Sequence, residues 1–228
     1  MFQKKYSVLH PSDCKIHFLG VWDTVKSYGG IRPLILPHLR HNPQVKTVRH
    51  ALALNERRSW FDATTWGQLD SDKHGAFRRL TQEECDALID QDVEEVWFRG
   101  CHSDIGGGDA EAVTGMIALR WMLGEAAAKD ILLNDNGKAV LTVADPPGPA
   151  EIHESLTRPW RLAPYIQLWE IDNSGKYPKR KCSLLRTRNG WRNPDNLTRD
   201  GKILLHTSVG NLHSILGKRS QGVKFISP

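Results

Sequence analysis

Two hydrophobic runs in this chain end in side chains suited to acid–base chemistry. HFLGVWDTV (17–25) closes on Asp23, and EEVWFRGCHSDIGGGD (94–109) closes on His102, followed by Ser103, Asp104 and three glycines, Gly106, Gly107 and Gly108. In open α/β sheets, ligands and catalytic groups gather just beyond the carboxyl ends of strands. A carboxylate and an imidazole placed there, acid first along the chain, match two members of a hydrolase triad. The carboxylate accepts from Nδ1 and fixes the tautomer; the other ring nitrogen then takes a proton from a nucleophile. The glycines are expected to let a flexible loop turn tightly and carry the imidazole over the sheet, with Ser103 and Asp104 completing that supporting loop.

Simpler readings compete. A lone Asp or His at a strand end is usually a cap or a turn residue. The two together, each after a buried strand, put the functional reading on an equal footing. A metal site built from His102, Asp104 and Asp109 lacks a second histidine at ligand spacing. A phosphate cradle at the glycines would be repelled by Asp104, Asp109 and Glu111, and no Lys-Ser/Thr follows. No cofactor and no metal are therefore expected. The nucleophile is missing as well: no G-x-S-x-G occurs in the 228 residues. Ser208 in HTSVGN lacks the leading glycine, Ser12 in HPSDC has no elbow pattern, and Ser103 adjoins His102 in a loop where neighbours diverge, so none is assigned.

The elements that would hold this pair follow from patterning. Residues 15–21 and the run EEVWFRG read as buried strands, and 45–54 as a third, with a helix as its alternative. Residues 29–43, with their Pro and Gly, read as a surface loop. Residues 81–91 read as a helix opened by a capping box, Thr81 with Glu84. Residues 110–130 carry Val113, Ile117, Leu119, Met122, Leu123 and Ala126 at helical spacing. Continuous apolar strands alternating with helices predict a mainly parallel sheet flanked by helices, an α/β fold. From 143 onward the chain is Pro-rich and turn-dense, which predicts long C-terminal loops, short helices and a hairpin at the sheet edge.

Composition sets wider bounds. The chain has 39% hydrophobic and 25% charged residues, ordinary for one globular domain, and eight Trp. The net charge of +5 is concentrated late, at Lys176, Lys179, Arg180, Lys181, Arg186, Arg188 and Arg192. A solvated surface is the expected role of these residues, with attraction to anionic headgroups as the alternative. Cys14, Cys85, Cys101 and Cys182 form no CxxC pair, so reduced thiols and a cytoplasmic location are expected. There is no apolar leader and no transmembrane segment in the sequence, and no nucleic-acid-binding motif.

The quoted segments resemble a family. HFLGVWDTV, VKTVRHALALNERRSWF (45–61), EEVWFRGCHSDIGGG and IHESL (152–156) occur in the same order as in an α/β-hydrolase domain family of fungi and bacteria that includes the type VI secretion phospholipase effectors. The resemblance spans roughly residues 1 to 215. It implies that Asp23 is the triad acid and His102 the triad base. NERR (55–58) and HTSV (206–209) look like further family signatures, with structural roles through ion pairs and packing. Two departures stand out. The family's GFSRG-type elbow, upstream of FLGVWDT, does not occur here, and Asp109 stands where a Tyr often follows the glycines.

The resemblance thus implies a single, incomplete α/β-hydrolase domain over residues 1–228, acting on phospholipid or another ester once a missing N-terminal hydrolase segment is supplied, and inactive alone. A non-catalytic remnant with a binding or regulatory role, and a basic membrane-surface module, are the alternatives. A sheet without its leading strands is also expected to associate.

Overall fold

The structure, a computed structural model, describes residues 14–25, 42–58, 61, 63–66, 82–108, 113–144, 151–156, 167–172, 179–184, 192, 203–210 and 223–226. Among these, a five-stranded sheet runs β1 (Ile16–Trp22), β2 (Val45–Ala53), β3 (Asp92–Phe98), β6 (Ile203–His206) and β7 (Val223–Ile226), in that spatial order. Every neighbouring pair is parallel. Helices α1 (Gln82–Ile89), α2 (His102–Gly106), α3 (Val113–Ala128) and α4 (Asp135–Thr142) lie between the third strand's approach and the second half of the chain. A separate antiparallel pair is formed by β4 (Gln167–Asp172) and β5 (Lys179–Leu184), the hairpin expected from the turn-dense sequence.

The strand assignments come from burial on both faces. Along β2 and β3, Ala51, Ala53, Val96 and Phe98 pack against Ile105, Ile117, Ala118, Trp121 and Met122 of α2 and α3. The alternate residues Leu52, Leu54 and Trp97 pack on the other face with Ala63, Ile203, Leu205 and Val209. A strand covered on both faces reads as an unbroken apolar run. That settles the helix alternative for 45–54 in favour of a strand. The polar Arg49 survives within β2 because its guanidinium meets Glu125 at 2.5 Å and Asp92 at 3.1 Å.

Two expectations need correction, and one helix was not anticipated. β1 was expected to be buried, but among the described residues it is the end strand, and its residues are mostly half-buried, with Trp22 37% exposed. The second half does not consist only of long loops, short helices and a hairpin. It also returns β6 and β7 to the main sheet, which the sequence did not show because ILLH and VKFI are only four residues each, too short for periodicity to mark a strand. Finally, α4, capped by Asn134 accepting from the Gly137 N–H at 2.8 Å, has a polar, unburied sequence that gave no helical pattern. The Thr81 cap, Asp109, Glu111, most of 29–43, Lys176, Arg186 and Arg188 lie outside the described residues. Among the described residues, no helix is long and apolar enough to cross a membrane.

Candidate active site

Parallel register sets the carboxyl ends of β1 and β3 side by side with β2 between them: Trp22 pairs with Ala51, and Ala53 with Phe98. Asp23 follows β1 directly, in a left-handed conformation with φ 41°. Its N–H donates to Ala51 O at 2.7 Å, which turns its side chain under the end of β2. There Oδ1 accepts from the Ala53 N–H at 2.9 Å, and Oδ2 lies 2.7 Å from Nδ1 of His102. The two residues singled out by sequence therefore meet, from strands one removed from each other.

Asp23 has no solvent exposure, whereas the His102 side chain retains 30%. Burial pushes the Asp23 carboxyl up, but Arg192 and the hydrogen bonds from His102, Arg192 and the Ala53 N–H outweigh it and hold the group at about 2. The carboxylate is ionised at neutral pH and orients the imidazole through Nδ1. Nε2 makes no hydrogen bond among the described residues, and the His102 side chain is partly exposed. An imidazole so held presents Nε2 as a proton acceptor, the geometry of a general base.

His102 is set by its backbone as much as by its ring. It is the first residue of α2, so the expected flexible loop is a short helix. Asp104 reaches back to the Cys101 N–H at 2.8 Å, the reciprocal half of a helix cap. Gly100, at φ 137°, makes the sharp entry: a Cβ there would lie 2.8 Å from Asp104 Cβ. The role given to the triple glycine is corrected accordingly. Gly106 is inside the helix, Gly107 alone takes the left-handed C-terminal cap at φ 80°, and Gly107 and Gly108 both donate to Ser103 O. The glycines close the helix; the turn that delivers the histidine lies before it.

Ser103 Oγ contacts Cys101 Sγ at 3.2 Å, and burial pushes the Cys101 thiol up. Asp104 is fully buried and meets His153 at Nδ1 (2.5 Å) and at its N–H (3.1 Å). Ser208 lies in the turn Thr207–Val209 after β6, its Oγ buried and without a hydrogen-bond partner among the described residues. His206 stacks on Phe98 at 4.7 Å, and burial, with Arg120, pushes it down to about 4.

NERR and IHESL are the scaffold of this corner. Asn55 exchanges hydrogen bonds with Gly100, its Oδ1 accepting from the Gly100 N–H at 2.8 Å and its N–H donating to Gly100 O at 2.9 Å. Glu56, fully buried, accepts from Arg58 at Nε (2.9 Å) and Nη2 (2.8 Å) and from the His102 N–H at 3.2 Å. Burial pushes the Glu56 carboxyl up, but Arg58 and the His102 N–H outweigh it and hold it below the usual range. Phe61 sets its ring edge-on to His102 at 4.9 Å, and the Arg58 guanidinium stacks 3.9 Å from the Phe61 ring. Arg57 binds Glu154 at 2.7 Å and Ser155 Oγ at 3.2 Å, tying IHESL to NERR. On the far side of β2, His50 accepts from the Thr24 N–H at 3.0 Å and meets Glu95 at 2.8 Å, which steadies the turn after Asp23.

Sequence reasoning missed one residue at the heart of the site. Arg192, expected on a solvated surface, is 3% exposed and donates to Asp23 Oδ1 and to the Phe61 carbonyl. Nothing in TRNGWRNPDN marks it, because an arginine among turn residues reads as surface charge. A cavity of about 660 Å³ lies elsewhere, lined by residues such as Glu94, Trp121, Glu125 and Val143 and by neither member of the pair.

Comparison with known proteins is consistent with the sequence resemblance. The family described as type VI secretion system (T6SS) phospholipase effector Tle1-like, catalytic domain, matches residues 2–125, more than half of the chain. No curated protein and no solved structure matches it.

Proposed function

The chain belongs to the Tle1-like phospholipase effector family through its catalytic domain, and from that premise we propose that it carries the acid and base of a serine hydrolase acting on phospholipid or related esters. Asp23 is the acid that fixes the tautomer, and His102 is the general base that deprotonates a serine and later returns the proton to the leaving alcohol. The observation that carries this is the 2.7 Å contact of His102 Nδ1 with a fully buried carboxylate, while the ring keeps an accessible side. The nucleophile belongs to a G-x-S-x-G elbow that these 228 residues do not contain, so the isolated chain is an inactive acid–base half. Return of β6 and β7 to the main sheet supports reading residues 1–228 as one incomplete domain.

The test is complementation. The chain alone should hydrolyse phospholipid vesicles no faster than buffer and should not react with a fluorophosphonate probe. Joined to the elbow-bearing segment of a family catalytic domain, it should gain both properties. Robust probe labelling of the chain alone would overturn the half-site reading. A joined protein that folds and labels but does not turn over ester would overturn the hydrolase reading.

A further inference from the structure

We propose that Arg192 is a positioning residue of the Asp23–His102 pair, holding the acid and the ring that flanks the base with one guanidinium. The inference rests on the acid–base reading above, and it concerns a residue outside the matched stretch 2–125. Arg192 is anchored by its own backbone, whose N–H donates to Leu54 O at 3.0 Å. Nη1 donates to Asp23 Oδ1 and to Ala53 O, the latter at 2.8 Å. Nη2 donates to the carbonyl of Phe61, the residue whose ring stands edge-on to His102. One planar fork thus joins the turn after β1, the end of β2 and the segment packed on the imidazole, a task for which a guanidinium is suited and an ammonium is not.

The chemistry explains why a cation is needed there. A fully buried carboxyl without a compensating charge favours its neutral form. A neutral Asp23 would donate its own proton to Nδ1 of His102. That would force the imidazole proton onto Nε2, the atom that must accept from the nucleophile. Arg192 removes this alternative. Because the Asp23–Arg192 pair is close to neutral overall, Asp23 acts on His102 chiefly by direction and tautomer. The charged and titratable groups around Asp23 are Arg192 and His102 in contact and Arg58 at longer range.

Nuclear magnetic resonance of the chain itself tests this without turnover. Asp23 should remain ionised from pH 7 down to pH 3, in keeping with its value of about 2, and His102 should show a proton on Nδ1 and none on Nε2 at neutral pH. In Arg192→Gln the Asp23 acid dissociation constant should fall by a hundredfold or more, and the His102 nitrogen shifts should move from their wild-type values as the acid loses its anchor. Arg192→Lys should restore an ionised Asp23 while lowering the melting temperature, since an ammonium cannot also span Ala53 and Phe61. A folded Arg192→Gln protein with Asp23 and His102 unchanged would overturn the proposal. If that variant does not fold, Asp23 titrating at 3.8 or above in the wild type or in folded Arg192→Lys would overturn it equally. These results are separable from the acid–base reading, which falls if a joined, active protein survives loss of His102.

Discussion

Asp23→Asn should destabilise the protein in a way that depends on pH. At pH 6 the substitution leaves the Arg192 guanidinium buried without its counter-charge, a loss worth about 3–5 kcal/mol for a broken buried pair. The folded Asp23 carboxyl sits at about 2, against an ordinary 3.8. Its folded value is depressed, so its contribution is present in full above 3.8 and is lost as pH falls toward 2. That gap, at about 1.4 kcal/mol per pH unit, amounts to about 2 kcal/mol. The stability difference between wild type and variant should therefore shrink by about 2 kcal/mol between pH 6 and pH 2. Paired urea denaturation curves read it directly, and the other depressed carboxyls, Glu56 and Asp92, cancel in the difference. A difference that stays constant across this range would refute the claim that Asp23 is held ionised by its partners.

Gly100→Ala forces a Cβ to 2.8 Å from Asp104 at φ 137° and should cost about 1–3 kcal/mol in urea unfolding. The same variant should blur the His102–Asp23 proton resonance, because α2 begins at the displaced turn. Asp104→Ala leaves the Cys101 N–H and His153 without their acceptor and should cost about 1–3 kcal/mol. β1 is half-buried, and its outer edge is unpaired among the described residues, so sedimentation should reveal concentration-dependent association. A monomer at every concentration would contradict that.

Asp23 and His102 were legible because each ends a long apolar strand, and strand ends are where a parallel sheet gathers its polar groups. β2 and β3 were legible for the same reason: burial on both faces leaves runs such as HALAL and VWF. The helix of His102 was not, since HSDIG is five residues long and its stabilising contacts, Glu56 to the His102 N–H and His153 to Asp104, come from far along the chain. Arg192 was hidden for a related reason. Its partners, Asp23, Ala53 and Phe61, are more than a hundred residues away, and local composition carries no trace of them. β6 and β7, at four residues each, are too short for periodicity to distinguish them from loop.

The central claim is that His102, directed by Asp23, is the general base of an ester hydrolase. It is tested most directly by kcat/KM for phospholipid hydrolysis in the chain joined to an elbow-bearing segment, measured for the parent, Asp23→Asn and His102→Ala. Loss of the correct tautomer in a triad lowers kcat by about 10⁴. The account predicts a fall of that order for Asp23→Asn and at least as large a fall for His102→Ala, with the joined protein still folded. A His102→Ala protein within tenfold of its parent would contradict it.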